Sequence, residues 1–125
     1  MNQAPDPQAR YERHFLQPHG QGGLAHPTHA ATASDPACGD ELSLELAVDA
    51  GVIEDARFRV RGCSGAIAVG SALATLLPGR PARLDALRRE DLEAELGALP
   101  SSKRHVLRLG LRVLEAALQG SSSMT

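Results

Sequence analysis

Leu42, Leu44, Leu46 and Val48 alternate with Ser43, Glu45, Ala47 and Asp49, a period of two that predicts a half-buried strand. Asp49-Ala50-Gly51 reads as a hairpin loop. The return strand is expected from Val52 to about Arg61, with Ala56, Phe58 and Val60 inward and Asp55, Arg57, Arg59 and Arg61 outward. The outer arginines read as a solvated face, where cross-strand pairs contribute at most ~1 kcal/mol each. Across Gly62 the apolar spacing lengthens to three or four, as expected where a strand hands over to a helix. Ala66, Ile67, Ala68, Ala72, Leu73, Leu76 and Leu77 predict a small-residue helix over roughly Gly65 to Leu77, ended by Pro78-Gly79.

On either side the pattern is weaker. A short helix is expected from about Pro7 through Ala9, Tyr11, Arg13 and Phe15, stopped by Pro18. His19 to Ala37 has no period and reads as a loop or a poorly paired edge; His14, His19, His26 and His29 in this first quarter read as solvated. Pro81 to Leu96 suggests one or two short helices with Leu84, Leu87, Leu92 and Leu96 inward and Arg88-Arg89-Glu90-Asp91 outward. After a break at Gly97 to Ser102, a last helix is expected from about Ser102 to Gln119. Its apolar face is Leu107, Leu111, Leu114 and Leu118, with Val106 and Leu109 nearby; Arg104, Arg108 and Arg112 form a polar i, i+4 row. The order predicts an α+β fold, a small antiparallel β-sheet with helices packed on one face. Residues 1–9 are expected to be disordered, 10–119 to form one domain and 120–125 a flexible tail.

Composition narrows the function classes. A chain of 125 residues buries roughly two thirds of its unfolded surface. With aromatics at 2% and no Trp, the core must be aliphatic, and recognition of nucleic acid by base stacking lacks its usual side chains. A formal net charge of -2 gives no electrostatic reason for a nucleic-acid or membrane partner. No apolar run approaches a membrane span, and Met1-Asn2-Gln3-Ala4-Pro5-Asp6 lacks the pattern of a signal peptide. The expectation is a soluble cytoplasmic protein. Two cysteines make no disulfide framework.

Candidate chemistry falls in three pieces: Pro36-Ala37-Cys38-Gly39-Asp40, Gly62-Cys63-Ser64-Gly65 and Lys103-Arg104-His105. Cys63 sits at the strand-to-helix corner, beside helix N–H groups without intrahelical partners. Cys38 and Asp40 are two apart at the entrance of the first strand, so in extended backbone they project to one side. The hairpin returns the chain to that end, and His105 lies in the first turn of the last helix. Two thiolates, a carboxylate and an imidazole suit tetrahedral Zn²⁺, or an iron cluster held partly by non-Cys ligands. The plain alternatives are small core thiols and a histidine that satisfies a helix end. Thiol redox or sulfur carriage by Cys63 is a weaker third, because no Cys-x-x-Cys partner is present. There is no phosphate loop, no Gly-x-Ser-x-Gly elbow and no His-Glu-x-x-His, so an enzyme is not expected.

These residues, together with His14-Phe15-Leu16-Gln17-Pro18, Gly22, Val52-Ile53-Glu54-Asp55-Ala56-Arg57-Phe58, Ala66-Ile67-Ala68 and Leu99-Pro100, resemble the IscU-type iron–sulfur cluster assembly scaffold. The same domain forms the N-terminal part of NifU. The likeness runs from residue 10 to 119 in order and spacing, and the unbroken stretch between Cys63 and His105 is similar to the IscU type. It implies an α+β scaffold on which a 2Fe–2S cluster is assembled and passed on, and which can hold Zn²⁺ or iron. Cys38, Asp40, Cys63 and His105 would be the ligands, and a cysteine desulfurase and apo-protein cluster acceptors the partners.

The chain departs from the pattern at two places. The family's third cysteine, a cluster ligand and acceptor of persulfide sulfur, is Val106 here. The chaperone-recognition segment is Leu99-Pro100-Ser101-Ser102-Lys103, where Ser101 and Ser102 break the motif and argue against an Hsp70-type partner. Two readings follow: a scaffold-like protein with a labile cluster, or a degenerate zinc-binding regulatory or docking paralogue. In the second, Lys103, Arg104, Arg108 and Arg112 are the candidate docking residues.

Overall fold

A computed structural model describes residues 7–36 and 39–119. Helix α1 (Pro7–Leu16) is followed by strands β1 (His29–Asp35), β2 (Asp40–Asp49) and β3 (Val52–Arg61). Then come helices α2 (Ser64–Leu76), α3 (Arg89–Leu96) and α4 (His105–Gln119), with a 3-10 turn at Ser101–Lys103. The three strands form an antiparallel meander in the order β1-β2-β3. Helices α2 and α4 lie on one face of it, and α1 and α3 pack against α2.

The alternation in β2 and β3 does what its period requires. Leu42, Leu44 and Leu46 are fully buried, and Ile53, Ala56 and Phe58 join them from β3. Burying side chains of this size contributes about 1.5–3 kcal/mol each for the larger ones. The hairpin closes through Ala50 and Gly51, both at positive φ (53° and 79°), the pair of conformations that matches strand twist in a two-residue loop. A bulge between Ala47 and Val48 shifts the register before the turn.

Helix α2 is buried along most of its length, from Gly65 to Ala74 apart from Ile67. Its small residues permit this. Gly70 lies against the Phe58 ring, where a Cβ would stand 2.6 Å from Cε2 and 2.7 Å from Cγ. On the other side Gly110 of α4 takes the Val69 side chain at similarly short range. The helix is thin enough to sit between sheet and helix.

Four expectations need correction or narrowing. His19 to Ala37 is not merely a loop or poor edge: β1 pairs with β2 over its full length, from His29↔Leu46 to Asp35↔Asp40. Gly20 and Gly22 also bond to Phe58, the Gly20 carbonyl accepting its N–H and the Gly22 N–H reaching its carbonyl. Of the one or two short helices expected between Pro81 and Leu96, one forms, α3, and only the second half of the stretch is helical. Residues 81–88 form turns, pinned by Arg80, whose guanidinium donates to the carbonyls of Leu76 and Ala86. Leu84 in that stretch is exposed, not inward. The apolar face of α4 is also rotated from the leucine row: Val106, Leu107, Leu109, Gly110, Val113, Leu114 and Ala117 are buried, while Leu111 and Leu118 are only partly so. The expected disorder of residues 1–9 falls mostly outside the described residues, as do the tail at 120–125 and Cys38; Pro7 to Ala9 already belong to α1.

Candidate metal centre

Three elements meet at one end of the sheet. Asp40 is the first residue of β2, Cys63 the N-cap of α2 immediately after β3, and His105 the first residue of α4. The corner between β3 and α2 turns through Gly62, where an added Cβ would collide with the Asp40 carboxylate. Only glycine lets the backbone pass that close to the acid. Cys63 itself is extended (φ −81°, ψ 170°), and its carbonyl accepts the N–H groups of Ala66 and Ile67 as the helix begins.

Asp40 is the hub. It is 2% exposed, so its carboxylate needs donors around it. Oδ1 accepts the backbone N–H of Cys63 at 2.9 Å. Oδ2 accepts the Cys63 thiol at 3.3 Å and lies 3.4 Å from His105 Nε2. Cys63 is half-buried and His105 is exposed, so the three groups run from interior to surface. Their ligand atoms all lie within 4.8 Å of one another. Tetrahedral coordination with bonds of about 2.0–2.3 Å sets ligand atoms roughly 3.3–3.8 Å apart. The two measured separations to Oδ2 already fall there, and the donor set is one of nitrogen, sulfur and oxygen that Zn²⁺ or iron accepts.

Of the four ligands expected from the sequence, Asp40, Cys63 and His105 are therefore brought together, and Cys38 lies outside the described residues. Gly39 beside it is at φ 78° and donates its N–H to the Asp35 carbonyl at 2.7 Å, closing the turn between β1 and β2. Val106 is wholly buried, with its Cγ1 close against Gly65, two residues past Cys63. It offers the site no ligand atom.

The four docking candidates separate. Lys103 is half-buried and lies along Gly65. Arg104, Arg108 and Arg112 instead line a cleft of about 330 Å³ together with Arg89, His105, Leu109 and Asp35. Glu93 accepts hydrogen bonds from Arg89 at 3.2 Å and Arg104 at 2.8 Å. The Arg89 hydrogen bond is the main cause that holds its carboxyl below the ordinary glutamate pKa; desolvation opposes it, and the Arg104 hydrogen bond and the charges of both arginines add to the lowering.

One polar cluster escaped the sequence reading. His14 is not a solvated loop histidine: it lies in α1 with its side chain 12% exposed. Nδ1 is 2.7 Å from Ser71 Oγ and Nε2 2.9 Å from Glu95 Oε2. Ser71 is fully buried and also accepts the backbone N–H of His19 at 2.9 Å. Its signal in the sequence was a lone serine inside the apolar run of α2. Among the described residues, no second group of three His, Cys, Asp or Glu forms a comparable centre.

Comparison with known proteins bears on the whole domain. The profile described as "NifU-like N terminal domain" matches residues 8–123. The iron-sulfur cluster assembly scaffold protein IscU of Aquifex aeolicus is 38% identical over 109 residues, covering 85% of this chain and 69% of that protein. The nitrogen fixation protein NifU of Cereibacter sphaeroides is 34% identical over 112 residues, covering 89% of this chain but 46% of that protein. The crystal structure of a nitrogen-fixing NifU-like protein (N-terminal) from Brucella abortus matches with a TM-score of 0.70 at 22% identity, covering 88% of this chain and 90% of that one. That last likeness bears on the fold alone.

Proposed function

Because the chain belongs to the NifU-like N-terminal domain family, we propose that residues 10–119 act as an iron–sulfur cluster assembly scaffold. The cargo is a labile 2Fe–2S cluster, or an iron or zinc ion, held by Cys38, Asp40, Cys63 and His105. The observation that supports this reading most is the meeting of Asp40, Cys63 and His105 at ligand spacing. Loading displaces the thiol proton that Cys63 gives to Asp40, so metal uptake releases protons and tightens as pH rises. Cys63 and Cys38 supply thiolates and His105 a nitrogen near the surface, where cargo enters and leaves. A carboxylate in place of a thiolate binds iron less softly, which favours handover to an acceptor protein.

Anaerobic reconstitution with iron and sulfide tests the assignment. The wild-type chain should develop visible charge-transfer absorption, and Cys63→Ala and Cys38→Ala should each lose it. No absorption in wild type, or full cluster yield in Cys63→Ala, sinks the proposal. Val106→Cys adds the thiol that the resemblance assigns to this position. Val106 is buried against Gly65, so the swap removes one methyl and costs about 1 kcal/mol of stability. Cluster yield equal to wild type would show that the mixed ligands suffice.

A second reading rests on Val106: without a third thiol the site takes zinc and the domain docks to a partner of the assembly machinery without building clusters. Elemental analysis of the purified protein separates the two. One zinc per chain that iron and sulfide cannot displace favours the second.

A further inference from the structure

We propose that the arginine-lined cleft beside His105 docks an acidic helix of a partner protein, with carboxylates at i, i+4 and i+8. Arg108 and Arg112 lie one turn apart on α4, and Arg104, in helical conformation (φ −66°, ψ −21°) just before the helix starts, continues their row. At 1.5 Å per residue they form a row about 12 Å long with steps of about 6 Å. Arg89 faces the same cleft from the start of α3. Glu93 engages Arg89 and Arg104, but among the described residues neither Arg108 nor Arg112 has an ion-pair partner. Elsewhere among the described residues Arg57, Arg59, Arg80 and Arg83 each pair with an acid, while Arg10, Arg13, Arg61 and Arg88 do not; what sets Arg108 and Arg112 apart is their place in one row along one cleft. In a chain of net charge -2, a cationic row left open at one cleft is a local feature, not a reflection of basic composition.

The geometry selects the occupant. A second helix laid along α4 repeats at the same rise, so carboxylates four apart meet arginines four apart without strain. Leu109, itself buried, forms the floor of the cleft beneath the charges. Asp35 in the cleft and Glu115 near Arg112 repel a continuous polyphosphate, whereas a peptide can carry neutral or basic residues opposite them. Its remaining contact is His105, so a helix seated here borders the Asp40–Cys63–His105 group directly. The docking surface stands apart from the cluster assignment, because the peptide should bind the metal-free chain.

The test uses the full chain stripped of metal by chelator and a labelled 15-residue helix-forming peptide with Glu at positions 3, 7 and 11. Fluorescence anisotropy should show the Glu peptide binding at least about tenfold more tightly than its Gln counterpart, with affinity falling as salt rises. Arg108→Glu with Arg112→Glu should weaken binding by about tenfold or more, and Arg108→Gln with Arg112→Gln by less. Arg57→Glu with Arg83→Glu, away from the cleft, should change it by less than about twofold. Equal weakening by the remote pair, or equal affinity for the Gln peptide, overturns the proposal. Citrate or inorganic phosphate displacing the peptide at concentrations near the peptide's own Kd overturns it in favour of a small-anion site. Tighter binding of a single-stranded oligonucleotide overturns it in favour of nucleic acid.

Discussion

Replacing His14 by alanine removes the imidazole through which α1 is fastened to two other helices. In the native arrangement every donor is satisfied if Nδ1 accepts the Ser71 hydroxyl proton and Nε2–H donates to Glu95. Ser71 Oγ then accepts from His19 N–H. Alanine strands the Ser71 hydroxyl proton in a fully buried position. Leaving a buried hydroxyl half-satisfied costs about 1–3 kcal/mol. The Glu95 hydrogen bond adds less, because that carboxylate is 31% exposed and regains water; about 1 kcal/mol is reasonable. The sum is roughly 2–4 kcal/mol, a large share of the stability of a domain this size. In urea this should lower the unfolding midpoint by about 1–2 M. Ser71→Ala removes the other half of the bond, so the double variant should be more stable than the sum of the single losses predicts by about 1 kcal/mol or more. A loss below about 0.5 kcal/mol for His14→Ala, or additivity within about 0.3 kcal/mol, would refute the reasoning.

Two further perturbations test the packing and the charges. Gly70→Ala drives a methyl group into the Phe58 ring; neither β3 nor α2 can withdraw without opening the core, so a loss of about 1–3 kcal/mol or more is expected by calorimetry, and an unchanged melting temperature would contradict the close packing. Glu93 has a lowered pKa in the folded chain because of Arg89 and then Arg104. A carboxyl lowered on folding contributes stability that is present above its unfolded pKa and lost as pH falls through the folded one. Glu93→Gln should therefore flatten the acid side of the stability profile below the ordinary value of 4.5; identical slopes of urea midpoint against pH in the two proteins would count against the arginine clamp.

The hairpin and its corner were legible because their chemistry repeats at short range. Leu42, Leu44 and Leu46 declare a strand by alternation, and Gly62-Cys63 declares the handover to α2. From that corner the meeting of Asp40 and Cys63 could be anticipated, since antiparallel pairing had to return the chain to the same end of the sheet. No local pattern placed His105 of α4 beside them, and its place in the set rested on the family resemblance. Strand β1 was not legible. Ala30, Ala31, Thr32, Ala33 and Ser34 carry little hydrophobic contrast, and the strand is held by its backbone pairing with β2 and a Thr32–Ser43 hydroxyl contact. The face of α4 was misjudged for the opposite reason. Its leucines drew the eye, whereas Gly110 and Ala117 define the side that packs closely. His14 was not legible as a largely buried polar group, because a histidine's role depends on a serine and a glutamate far away in the chain.

The two oxygens of Asp40 have separate duties. Oδ1 is committed to the Cys63 backbone and so to the start of α2, while Oδ2 faces the thiol and the imidazole. The ion proposed for this site would therefore meet Asp40 at Oδ2, while Oδ1 keeps its bond to the Cys63 N–H. In the proposed role, loss of the ion would leave the bond between Oδ1 and the Cys63 N–H, and with it the start of α2, in place.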